Sequence, residues 1–227
     1  GAERFVLTVP GILEGTPWAM LPALRGRTFT VAVSATRWSA FDRDVSVGGR
    51  VGIAVGPRVA RGEEEADAVA AAWAGHSPEQ LRGTDATVDA VTALAGRVDL
   101  LHVAAHGRHA VDNPLFSGFE MADGALFGYD LDRVPEVPEV VVLSSCEAGR
   151  SSVRWGEEAV GMTRVWMHAG TRAVVAAPVI VADDAACDLL GAMHAGLAAG
   201  LGVSEALARA STETGILAPF QVYGSGF

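Results

Sequence analysis

Two stretches decide how this chain reads: Leu100-Leu101-His102-Val103-Ala104-Ala105-His106-Gly107 and Val140-Val141-Val142-Leu143-Ser144-Ser145-Cys146-Glu147. Each is an apolar run that stops abruptly at a residue type with reactive chemistry. Apolar runs of this length without helical periodicity predict strands buried on both faces, as in a parallel sheet. In such sheets ligands collect at the carboxyl ends of the strands. If the two strands are parallel neighbours, His106 and Cys146 stand side by side at one rim. A thiol beside an imidazole is the arrangement of a cysteine nucleophile.

Strand and helix signals alternate outward from this pair. Phe5 to Val9, Thr28 to Ser34 and Val51 to Val55 read as strands, the last closed by Gly56-Pro57. Gly62 to Trp73 reads as a helix whose first turn holds Glu63, Glu64 and Glu65, a solvated and dipole-compatible start. Leu81 to Asp85 is expected as a short strand and Thr87 to Ala95 as a helix capped by Thr87. Residues 107 to 137 carry turn signals and a small hairpin around Asp123-Gly124. Glu147 to Trp155 reads as a Gly/Ser-rich mobile loop. Helices are expected over Gly156 to His168 and Asp183 to Ala199, with a last one capped by Ser204 that runs to Ala210. Thr171 to Ala177 and Phe220 to Tyr223 complete the strands. The alternation means an α/β fold with a mainly parallel central sheet.

Totals narrow the function classes. The 227 residues are 50% hydrophobic and 19% charged, enough for one large α/β domain with a sizeable core. The net charge of -10 argues against nucleic acid or an anionic membrane as the main partner. No run of about 18 apolar residues is present, so no membrane span is expected. The two cysteines, Cys146 and Cys187, do not make a disulfide framework, and Cys187 lies in an apolar helical stretch that reads as core. The start Gly1-Ala2-Glu3-Arg4 has no signal-peptide pattern. It reads as a cytoplasmic piece of a longer protein with a tag scar in front.

For chemistry at the rim, an imidazole beside Cys146 takes the thiol proton or stabilises the thiolate. Acyl transfer also needs donors for an oxyanion, and the backbone N–H groups of Gly107 and Cys146 are the candidates. The plain alternative is a small buried Cys146 and a satisfied polar His106. A metal site from His102, His106 and His109 lacks a second ligand cluster, so no metal is expected. Ser144 and Ser145 lack a G-x-S-x-G elbow. Gly48-Gly49 and Gly224-Ser225-Gly226 form neither a P-loop nor a dinucleotide fingerprint, and no cofactor is expected.

The His-Gly after one apolar strand and Leu143-Ser144-Ser145-Cys146-Glu147 after the next resemble the CHAT family of cysteine peptidases, relatives of caspases and separase. Val9-Pro10, Pro17-Trp18, Leu21-Pro22, the segment Leu81 to Thr87, Ser117 with Ala122-Asp123-Gly124, Gly156-Glu157-Glu158 and Ala169-Gly170 extend the likeness over nearly the whole chain. The resemblance implies a caspase-like three-layer αβα sandwich and one peptidase domain over residues 1–227. It implies His106 as general base, Cys146 as nucleophile, and Gly107 and Cys146 N–H groups as the oxyanion hole. Asp183, with Asp184 beside it, matches an acid that selects a basic P1 side chain in some relatives, although Val179 stands where many of them have tryptophan. Asp183 also reads as a helix N-cap. CHAT domains usually form the C-terminal effector of longer proteins, behind sensing modules, in regulated proteolysis that includes bacterial defence.

The expectation is therefore a cysteine endopeptidase that acts on a protein substrate, regulated by modules in the same or a partner protein. A catalytically silent caspase-like scaffold is the alternative, and acyl transfer on non-peptide substrates a second one. Arg108, Arg133, Arg150 and Arg154 are candidate points of self-cleavage.

Overall fold

The apolar runs form the middle of a single sheet. In the computed structural model, which describes residues 4–39, 45, 47–108, 114–145 and 157–227, eleven strands and six α-helices follow one another along the chain. They are β1 (Arg4–Thr8), β2 (Thr28–Ala32), α1 (Ala35–Ser39), β3 (Val51–Val55), α2 (Gly62–Ala72), β4 (Glu79–Leu81), α3 (Val88–Ala95) and β5 (Leu100–Ala104). Then come β6 (Gly107–Arg108), β7 (Gly118–Glu120), β8 (Ala125–Phe127), β9 (Val140–Ser144), α4 (Glu157–Ala169), β10 (Ala173–Ala176), α5 (Asp183–Ala198), α6 (Val203–Thr214) and β11 (Gln221–Gly224).

The main sheet has eight strands in the order β1-β2-β11-β10-β9-β5-β3-β4. The five from β10 to β4 are mutually parallel, and β1, β2 and β11 are parallel to one another. The two blocks meet at the antiparallel β10–β11 pair, where Val174 lies opposite Tyr223. A smaller antiparallel sheet, β6-β7-β8, follows β5 and contains the hairpin expected around Asp123-Gly124.

Strand alternation sorts the core into two layers. Leu100, Val140, Val142, Ile53 and Val175 pack with α2, α5 and α6 on one face. Leu101, Val103, Val141, Leu143 and Val174 pack with α3 and α4 on the other. Every residue of β3, β5 and β9 is buried, which explains why their apolar runs carry no two-residue alternation. Helices on both faces of a mostly parallel sheet give the three-layer αβα arrangement.

Three local expectations change. Leu81 ends strand β4 rather than beginning one, because the chain turns into a single 3-10 turn over Gly83–Asp85. The last helix starts from Gly202 rather than Ser204, which is buried in its first turn, and it runs on to Thr214. Asp183 is the first residue of α5, with Ala182 in the cap position. The expectation of a mobile loop from Glu147 to Trp155 lies outside the described residues.

Candidate active site

Parallel pairing aligns the strand ends at one rim. β5 and β9 are hydrogen-bonded neighbours in register from Leu100↔Val140 to Ala104↔Ser144, and β3 flanks β5 with Val55↔Ala104. Both strands therefore stop on one row. His106 follows the last residue of β5 by two positions, and Cys146 follows the last residue of β9 by two. Cys146 itself lies outside the described residues, so the structure leaves the thiol–imidazole pairing and the Cys146 N–H donor as expectations.

His106 is half-buried at the rim. Its Nε2 lies 3.0 Å from the carbonyl oxygen of Arg58, in the loop between β3 and α2. A carbonyl only accepts, so Nε2 carries the proton in this contact and Nδ1 carries the lone pair of the neutral ring. Arg58 holds φ at 60°, and its guanidinium pairs with Glu120 on β7. Just upstream, a Cβ on Gly56 would stand 2.4 Å from the Glu120 carbonyl oxygen and 2.8 Å from Ala105 Cβ. Only glycine lets this loop close down on the end of β5.

Gly107 opens β6. The Glu120 N–H donates to the His106 carbonyl at 2.9 Å, while Gly107 lies opposite Phe119. In an antiparallel ladder this makes 107/119 a pair that exchanges no hydrogen bonds, so the Gly107 N–H is directed away from β7.

Asp184 is exposed and already engaged: Arg61, at the start of α2, donates to its carboxylate at 2.9 Å. The same guanidinium reaches Glu64 at 2.6 Å and Asp188 at 3.6 Å. The Asp183 side chain lies outside the described part of the structure. His109, weighed as a metal ligand, is likewise outside the described residues, and among those described no group of three or more His, Cys, Asp or Glu side chains is placed to hold a metal ion. Nor is any described helix long and apolar enough to cross a membrane.

Beneath the rim lies a buried polar cluster that the sequence did not reveal. Glu65 of α2, His102 of β5, Ser144 of β9, His194 of α5 and Trp73, which follows α2, are all buried. Trp73 Nε1 donates to His194 Nδ1 at 3.0 Å, and His194 Nε2 lies 3.1 Å from His102 Nδ1. His102 Nε2 lies 2.9 Å from Glu65 Oε1, off the line of a full hydrogen bond, and Ser144 Oγ donates to Glu65 Oε2 at 3.1 Å.

The proton positions follow from Trp73, whose indole N–H can only donate. His194 therefore accepts at Nδ1. Burial, reinforced by His102, holds its pKa well below the ordinary imidazole value, so it is neutral. Its single proton sits on Nε2 and is directed at His102 Nδ1. The proton of a neutral His102 then sits on Nε2, facing Glu65.

Glu65 thus corrects the expectation of a solvated helix start, which holds for exposed Glu63 and Glu64. The available signal was periodicity, since Glu65 lies one and two helical repeats before Val69 and Trp73, both buried. Nothing in the sequence paired it with His102, Ser144 or His194. Cys187, by contrast, is buried in α5 as expected, and burial raises its thiol pKa above the usual range.

The likeness to known proteins fits this architecture. A family model described as CHAT domain matches residues 1–214. Among solved structures, the Arg specific cysteine proteinase gingipain R is similar at TM-score 0.63 and 10% identity, covering 98% of this chain and 63% of that one. The complex of Porphyromonas gingivalis RgpB pro- and mature domains is similar at TM-score 0.58 and 12% identity, over 87% of this chain and 55% of that chain. The Saccharomyces cerevisiae separase of a separase–securin complex is similar at TM-score 0.61 and 13% identity, over 97% of this chain and 15% of that one. The chain thus spans under two thirds of each, and the likeness establishes a shared caspase-like fold. No curated protein matches the chain. With a family model that takes in almost its full length and a fold held in common with cysteine proteinases, the chain belongs to the CHAT domain family.

Proposed function

We propose that the domain is a cysteine endopeptidase working through His106 and Cys146. The observation that carries this reading is the in-register β5–β9 pair: strand ends Ala104 and Ser144 lie side by side, and each is followed two positions later by one member of the dyad. The His106 tautomer set by the Arg58 carbonyl supports it, because the Nδ1 lone pair is the base the reaction needs.

Cys146 Sγ attacks the scissile carbonyl carbon while His106 Nδ1 takes the thiol proton. The carbonyl oxygen becomes an oxyanion, stabilised by the N–H groups of Gly107 and Cys146. As the C–N bond breaks, His106 returns the proton to the leaving amine. Water, deprotonated by the same imidazole, then cleaves the thioester and regenerates the thiol. The Arg58 carbonyl stabilises the imidazolium that forms between these steps.

The substrate is a protein cut after a basic residue, with Asp183 as the acid that pairs with the P1 side chain. Asp184 is the weaker partner because Arg61 already engages it. The domain acts in the cytoplasm, in proteolysis regulated by sensing modules of the same or a partner protein.

The test is intact-mass labelling with a peptide electrophile that carries Arg at P1. One label per chain is expected, lost in Cys146→Ala and slowed in His106→Ala, with Asp183→Asn weakening the preference for Arg over an uncharged P1. Labelling at Cys187, or equal rates for folded wild type and His106→Ala, overturns the dyad.

A further inference from the structure

The elements that carry the proposed site meet below the rim in one buried polar cluster. The loop before α2 holds His106 through the Arg58 carbonyl, and α2 itself contributes Glu65. β5 leads to His106 and contributes His102. β9 leads to Cys146 and contributes Ser144, its final residue. α5 begins at Asp183 and contributes His194. Glu65 is the hub, since one carboxyl oxygen faces His102 and the other accepts from Ser144.

We propose that Glu65 is a positioning residue for the nucleophile, fixing the end of β9 through the Ser144 hydroxyl and indexing it to the helix whose incoming loop orients His106. The proposal rests on the His106–Cys146 reading above.

Three features favour this over simple filling of the core. Both Glu65 oxygens are directed at strands β5 and β9, which carry the two halves of the dyad. The proton directions from Trp73 through His194 to His102 are set by the indole, which can only donate, so these three side chains share one arrangement. Finally, the β9 contact falls at Ser144, the last residue of the β5–β9 ladder, where the strand ends. A side-chain tie at that position constrains the two-residue step to Cys146. Small misplacements of a nucleophile carry large rate penalties, because reacting groups must meet within a narrow range of distance and angle.

The experiment measures the second-order rate of Cys146 alkylation by iodoacetamide near neutral pH, by intact mass, on the full chain. The proteins are wild type, Glu65→Gln, Ser144→Ala, the double variant, Ser144→Thr and His106→Ala, each shown to be folded by its thermal melt. Ser144→Ala removes a single hydroxyl and is the variant to rely on if Glu65→Gln fails to fold. The expected result is a loss of about fivefold or more in both Glu65→Gln and Ser144→Ala. The double variant is no slower than the slower single, and Ser144→Thr, which keeps the hydroxyl, stays near wild type. A folded Ser144→Ala that alkylates at the wild-type rate overturns the proposal, as do two effects that simply multiply. The two readings separate cleanly. A rate sensitive to His106→Ala but indifferent to Ser144→Ala removes the positioning role alone, whereas a rate indifferent to His106→Ala removes the dyad and the positioning role with it.

Discussion

Glu64 and Glu65 are adjacent and chemically identical, yet Glu64 pairs with Arg61 in solvent while Glu65 is buried against His102 and Ser144. The 100° step of a helix separates them: it turns one outward and the other onto the stripe that contains Val69 and Trp73. His194 has a testable consequence at the same scale. Its folded pKa is depressed, so the unfolded chain takes up the proton first as pH falls below about 6.5. Stability contributed by this group is therefore full above that value and lost as pH drops toward the folded pKa. Denaturant melts between about pH 6.5 and 5 should show this loss, approaching about 1.4 kcal/mol per pH unit for one proton. His194→Gln should remove that much of the slope. An unchanged slope would mean that His194 does not titrate between the two states.

Among the elements, α3 shows how a distant segment completes a local structure. Thr87 caps the helix as expected, its hydroxyl accepting from the Ala90 N–H at 3.2 Å. The Val88 N–H is taken by Asp123 Oδ1 at 2.8 Å, from the turn of the β7–β8 hairpin. Two side chains therefore satisfy N–H groups that no helical carbonyl can reach. Thr87→Ala and Asp123→Ala should each cost about 1 kcal/mol in urea unfolding. The Asp123 result is the informative one, because a hairpin that docks loosely on α3 would show almost no loss.

For the whole molecule, stability is concentrated in the central strands. Leu143 is fully buried on the face covered by α3 and α4, whereas Ile180 is 60% exposed in the loop before α5. Leu143→Ala should cost about 3 kcal/mol in equilibrium unfolding, from lost burial and the cavity left in a packed layer. Ile180→Ala should change stability by about 0.5 kcal/mol or less. The same central packing holds the β5 and β9 ends in register.

The α/β class, the central strands and the hairpin were legible because runs such as Val140 to Leu143 and turn residues such as Asp123-Gly124 act locally. His106 and Gly107 stood out for the same reason, as polar or flexible residues that end an apolar run. Element ends were less legible where tertiary contacts set them, as at Ser204, buried in the first turn of α6. The antiparallel junction between β10 and β11, the Arg58 carbonyl on His106 and the engagement of Asp184 by Arg61 came only from the fold. So did the buried cluster, whose Glu65, His102, Ser144 and His194 come from four separate elements. Sequence alone determined which segments are apolar and where they stop, since those are properties of neighbouring residues. Tertiary structure decided which polar groups meet, because a hydrogen bond depends on distances of about 3 Å that chain separation does not encode.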